Sequence, residues 1–168
     1  MTRTAILAAA LLSAALVPPA GADEVGRLAG FAGYWRGSGE LVGGEKPEEF
    51  RCRLGVSPGN RGKVNYSGRC TLVNMNLSVA GTIAYDTAAG RYEAVMSSNA
   101  GFTGDAVGVE QGDRVVFDLR ERQSDRRGND VEIGAVIELV GESIEVRFQV
   151  EFNDSGEVMT AVVPFSRQ

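Results

Sequence analysis

The chain of 168 residues contains no histidine. That absence removes the usual general base and the commonest metal ligand together, so no Ser-His-Asp or Cys-His arrangement can be assembled. Cysteine is scarce as well. Only Cys52 and Cys70 occur, and they do not make the Cys-x-x-Cys spacing that common metal and redox motifs use. Aromatic residues make up 7% of the chain, too few for the girdles of a barrel that faces lipid. Bases are outnumbered, 17 Lys+Arg against 22 Asp+Glu, which disfavours nucleic acid and anionic lipid as partners. No catalytic residue, metal ligand or cofactor is assigned on this composition, and the chain reads as a non-enzyme.

One long apolar run exists, and it comes first. Arg3 gives a charged start, Ala5 to Val17 is rich in Ala and Leu, and Pro18-Pro19 precedes the small residues Ala20-Gly21-Ala22. This pattern predicts a signal peptide over 1–22 and a periplasmic or secreted destination. The run falls short of the ~20 residues that cross a bilayer as a helix, so no membrane insertion is expected. Loss of the leader removes Arg3 and no acid, which takes the formal net charge from −5 to −6. Residues 23–168 then fit the size of one domain.

The two cysteines test a specific pairing. Phe50, Cys52 and Leu54 alternate with Arg51 and Arg53, and Tyr66, Gly68, Cys70 and Leu72 alternate with Ser67, Arg69 and Thr71. Both runs have the period of a strand, and Pro58-Gly59-Asn60-Arg61-Gly62 between them has the composition of a turn. A hairpin symmetric about Arg61 places Cys52 opposite Cys70, close enough to bridge in an oxidising compartment.

Alternation continues to the end of the chain. Leu77 to Tyr85 and Tyr92 to Met96 flank Asp86-Thr87-Ala88-Ala89-Gly90, where Gly90 suits the left-handed position that sets Tyr85 against Tyr92. Gln111-Gly112, Gly141-Glu142 and Asn153-Asp154-Ser155-Gly156 mark further turns, and the polar stretch Arg122 to Asn129 reads as an exposed loop. Apart from a short turn at Glu24 to Ala29, no helix is expected after the leader. A first strand at Tyr34 to Val42 brings the total to about ten. The expected fold is therefore all-β, an antiparallel up-and-down barrel, because closure is what removes the raw edges of a meander. Along Ile144 to Phe152 the intervening residues are polar, so one face is dry and the other wet. Glu138, Glu145 and Glu151 fall on wet faces.

The opening Gly33-Tyr34-Trp35-Arg36-Gly37-Ser38-Gly39 puts Trp35, Gly37 and Gly39 on one face, with Leu41 continuing it. This motif resembles the start of calycin superfamily barrels, which begin with a Gly-x-Trp strand near the closed end. Its Gly-x-Trp-x-Gly-x-Gly form is most similar to nitrobindin-like (lipocalin-like) barrels of about ten strands. The resemblance implies a basic residue from the last strand packed over the Trp, and Arg167 is the matching position. It also implies heme, held through a histidine, and here the chain departs from the pattern. Met96 and Met159 sit in apolar strand rows and read as core, so heme is not carried over.

The resulting expectation is an interior site for a small hydrophobic or amphipathic ligand. Gly37, Gly39, Gly68 and Gly81 would free interior volume, and Trp35, Tyr66, Ile83, Met96, Phe117 and Phe148 would line it. The alternative is a protein-binding barrel, such as a periplasmic protease inhibitor, acting through its loops or through the segment Asp23 to Phe31. A third possibility is a structural envelope protein without a ligand.

Overall fold

A computed structural model describes residues 20–73, 76–124, 128 and 130–168. The expected leader lies outside this range up to residue 19, as do residues 125–127 and 129 of the expected loop.

Among the described residues, ten strands follow one α-helix. Helix α1 (Ala20–Gly30) leads into β1 (Gly33–Leu41), β2 (Glu48–Pro58), β3 (Val64–Thr71), β4 (Asn76–Asp86) and β5 (Arg91–Ser98). These are followed by β6 (Thr103–Gln111), β7 (Arg114–Ser124), β8 (Asp130–Val140), β9 (Ser143–Phe152) and β10 (Glu157–Arg167). Each strand pairs antiparallel with its successor, and β10 pairs with β1, so the meander closes into a barrel.

The hairpin registers follow from turn chemistry. In β2–β3 the register is symmetric about Arg61, which itself takes a left-handed φ of 57°, and Cys52 faces Cys70 with the Cα atoms 4.0 Å apart in a disulfide. In β4–β5, Gly90 at φ 64° donates its N–H to the Asp86 carbonyl and sets Tyr85 opposite Tyr92, the rings meeting edge to face at 4.9 Å. Val131, Ile133, Ala135, Ile137 and Leu139 of β8 are all buried while their intervening neighbours face outward, so the period-two pattern does mark the inner wall.

Two local expectations are corrected. The short turn expected at Glu24 to Ala29 is part of an eleven-residue helix. Its apolar residues Val25 and Leu28, with Phe31 just beyond, repeat at three-residue spacing, and Leu28 and Phe31 are buried under the barrel end. So short a helix depends on that packing, which no local window of sequence contains. Arg122 to Ser124, read as loop, belong to β7. They pair with β8 from Ser124 opposite Asp130, and Arg122 lies 3.1 Å from Glu132 directly across the ladder.

Of the glycines expected to free interior volume, Gly37, Gly39 and Gly81 are instead places of close approach, while Gly68 borders the interior cavity. A Cβ on Gly37 would lie 2.7 Å from Val163 Cγ1, and one on Gly39 would lie 2.6 Å from the Val162 carbonyl oxygen. At Gly68 the Val79 side chain stands at 3.1 Å, and at Gly81 the Tyr66 phenol and the Val95 carbonyl occupy the space. The glycines let β10 curl over β1 and let Tyr66 lie flat on β4.

The disulfide closes a loop of 18 residues in sequence separation, worth about 3 kcal/mol in the chain-entropy account. The double variant Cys52→Ala/Cys70→Ala should therefore unfold in urea with a stability lower by about that amount, and its far-ultraviolet circular dichroism should stay that of a β protein.

Candidate functional site

Helix α1 plugs one end of the barrel. Leu28 and Phe31 enter the lumen, and Phe31 stacks near Trp35 with ring centroids 6.3 Å apart. Three successive carbonyls at the end of the helix are then satisfied by residues that are distant in the chain or fully buried. Trp35 Nε1 donates to the Phe31 oxygen at 3.0 Å, and the Arg167 guanidinium donates to Gly30 and Ala32 at 2.5 Å each. The same guanidinium lies 4.4 Å from the Trp35 ring centroid, so one cation caps the helix and covers the indole. On the far side of the plug, Glu24 accepts a hydrogen bond from the Tyr92 hydroxyl, and Arg27 reaches the Asp113 carbonyl at 2.5 Å.

Above the plug the lumen is not filled. A cavity of about 360 Å³ runs from Leu28 and Phe31 towards the opposite rim, where Leu72, Leu77, Phe152 and Met159 stand. Its wall is almost wholly apolar. The sidedness of β9 reports the same void: Val146, Phe148, Val150 and Phe152 point inward, yet each stays only half-buried. The disulfide also faces inward and borders the cavity.

Of the six residues expected to line a site, four are brought together. Tyr66, Ile83, Met96 and Phe148 line the cavity. Trp35 and Phe117 do not, although both point inward as their parity requires. Trp35 is consumed by the plug contacts, and Phe117, fully buried, packs against Tyr92 at 6.4 Å and fills the space over Gly108. Parity identifies the inner face but not the height along the barrel axis at which packing stops. The sequence reading missed Leu54, Val79, Val146 and Val150, which share the parity signal and also line the cavity.

The outward carboxylates are not arranged for acid–base work. Glu145 pairs with Arg147 at 2.9 Å. Glu138 faces outward as expected but is only 7% exposed, because Arg114 at 3.1 Å and Arg147 fold over it. The segment Asp23 to Phe31, weighed as an arm for a protein partner, is engaged in the plug.

Within the lumen Tyr66 is the principal polar side chain, and its hydroxyl is committed to the Val95 carbonyl at 3.2 Å. Burial pushes its pKa up to about 12. Burial, and then the hydrogen bond to Glu24, also raise that of Tyr92. A raised phenol pKa means that the fold holds the neutral form. The stabilisation from Tyr66 is thus complete below about pH 10, the pKa of an unfolded tyrosine, and is lost as pH rises through about 12. Alkaline titration followed by tyrosinate absorbance should show late-titrating phenols, and Tyr66→Phe should remove the component near pH 12 while leaving that of Tyr92.

A comparison with solved structures places the architecture among known ones. The chain is similar to Rv2717c from M. tuberculosis, seen in its crystal structure, with a TM-score of 0.65 and 17% sequence identity over 92% of this chain and 99% of that one. No protein-family model matches the chain, and no curated protein matches it either. At that identity the likeness establishes the closed ten-stranded barrel and nothing finer.

Proposed function

We propose that this protein is an exported calycin-like barrel that holds a small hydrophobic or amphipathic molecule in its lumen, and that it binds rather than catalyses. The observation that carries the reading is the row of inward, half-buried apolar side chains around a void of about 360 Å³. That volume lies within the range of roughly 300–1,000 Å³ usual for small-molecule sites. A folded chain normally packs such residues against one another. Leaving Val79, Val146, Phe148 and Val150 facing a void forfeits dispersion contacts that an apolar guest would restore. The calycin reading draws on Trp35 in the first strand with the Arg167 guanidinium over its ring. Export is supported by the disulfide, which oxidising compartments favour. A protein-binding role through the N-terminal segment is less well supported, since freeing Asp23 to Phe31 would expose Leu28, Phe31 and Trp35 together.

The direct experiment is native mass spectrometry on protein purified from its own host, joined to a thermal-shift panel of fatty acids, retinoids and tetrapyrroles. A bound mass or a specific stabilisation is expected; an empty barrel that no compound stabilises would overturn the reading. A variant sharpens it. Val150 lines the cavity and is only half-buried, so Val150→Phe should occupy part of it. Occupancy should fall at least about tenfold, while thermal stability holds or rises because the added ring recovers lost contacts.

A further inference from the structure

The outer wall carries a second feature. Arg36 in β1 is in register with Arg53 in β2, and Arg53 is in register with Arg69 in β3. The parity of all three is outward, and all are exposed. Neighbouring strands are ~4.8 Å apart, so three guanidinium groups stand in a line roughly 10 Å long across the barrel wall. Arg51, exposed two positions along β2, extends the patch.

Like charges directly opposite one another on a sheet destabilise it. The chain has the means to relieve this, since its acids outnumber its bases by five. It does so elsewhere: Arg91 pairs with Glu93, Arg114 and Arg147 with Glu138, and Arg120 and Arg122 with Glu132. Among the described residues, none of Arg36, Arg51, Arg53 and Arg69 has an acidic partner within ion-pair distance. Directly across the ladder the row meets hydroxyl positions, Ser166 beside Arg36, Ser38 and Thr71 beside Arg51, and Ser78 beside Arg69, while the acids Glu40 and Glu49 stand one step further along β1 and β2 without reaching ion-pair distance.

The surface is also shaped. Gly55, lacking a side chain, lies under the Tyr34 ring, whose carbons come within 3.8 Å of where its Cβ would stand. Tyr34 is 78% exposed and forms one wall of a groove lined also by Arg36, Arg53, Ser67, Arg69 and Gln168, with Trp35, Leu54 and Gly68 among its other lining residues. Unpaired guanidinium groups in register, with hydroxyl donors beside them and an aromatic wall, are the donor set that phosphate oxygens recognise.

We infer that the Arg36–Arg53–Arg69 row is a binding site for a compact phosphorylated anion bearing two or more phosphate groups or presented as a cluster of phosphate headgroups. The linear array suits a chain of phosphates better than a single one. Positive potential confined to three adjacent strands of an acidic barrel also keeps the site local instead of making the whole surface polyanion-binding. The guanidinium groups lie on the outer face, although Arg53 and Arg69 also border the lumen cavity.

The test uses the full, oxidised protein at low ionic strength. Calorimetric titration with tripolyphosphate reports a free phosphate chain, and sedimentation with vesicles of phosphatidylglycerol and phosphatidylcholine, against phosphatidylcholine alone, reports headgroups. Saturable binding in either arm is expected. Arg53→Gln should weaken it at least about tenfold, the usual effect of losing a charge-assisted hydrogen bond. Arg36→Gln should do the same. The control Arg120→Gln/Arg122→Gln removes more charge away from the groove and should leave affinity within about twofold. Because relief of like-charge repulsion accompanies the loss, Arg53→Gln should melt no lower than the parent, which separates lost binding from lost folding. Absence of saturable binding in both arms would overturn the inference, and so would equal loss in the control.

Discussion

The seam between β1 and β10 is the constraint on which the rest of the molecule depends. Every other strand pair is a hairpin or a short connection, but these two strands lie at opposite ends of the folded chain and must meet for the sheet to lose its edges. The backbone ladder there is thin. Trp35 to Gly37 pair with Arg167 to Phe165, a lone bridge joins Val42 to Thr160, and Pro164, which has no N–H to donate, falls between them. Side chains supply what the ladder lacks. Val163 and Phe165 press on Gly37, Phe50 presses on Gly39, and Arg167 ties the last strand to both the Trp35 indole and the end of α1. Joining chain ends costs loop-closure entropy that grows only slowly with length, so a few such contacts suffice to hold the barrel shut.

The same seam decides where the lumen is full and where it is empty. Arg167 and Trp35 fix the end of α1, which commits Leu28 and Phe31 to one end of the barrel and recruits Tyr92 and Phe117 to pack beside them. Above the plug the lumen is lined by aliphatic and aromatic side chains, Leu54, Val79, Val146, Phe148 and Val150 among them, that leave a cavity between them. Of the four interior glycines only Gly68 borders the cavity; Gly37, Gly39 and Gly81 are filled by their neighbours.

What could be read from the sequence divides along physical lines. Local symmetry was legible: Arg61 as the centre of a hairpin gives Cys52 opposite Cys70, and Gly90 gives Tyr85 opposite Tyr92, because turn residues fix register within a few positions. The inner face was legible from period two, and closure from the number of strands left without a helix between them. The height of each residue along the axis was not, because it depends on the plug, and α1 is too short and too close to the N-terminal apolar run to announce itself. Hence Tyr66, Ile83, Met96 and Phe148 fell within the cavity, while Trp35 and Phe117 fell beneath it.

Surface charge is hidden for a related reason. Read along the chain, the arginines from Arg120 to Arg127 stand closest together, interspersed with Glu121 and Asp125. In the fold, the members of that cluster that are described, Arg120 and Arg122, are neutralised across the ladder by Glu132. The row that remains unpaired is made of residues 16 and 17 positions apart, invisible as a cluster until two hairpins align them. Its second half was within reach of the sequence, since the symmetry about Arg61 that joins Cys52 to Cys70 also joins Arg53 to Arg69. A sheet presents its chemistry across strands, at right angles to the direction in which the sequence is read. A hairpin centre, once known, therefore predicts pairs of surface charges as surely as it predicts a disulfide. On this barrel one register brings sulfur to sulfur on the inner wall and guanidinium beside guanidinium on the outer. The first juxtaposition stabilises the fold, and the second costs it unless an anion from outside completes it.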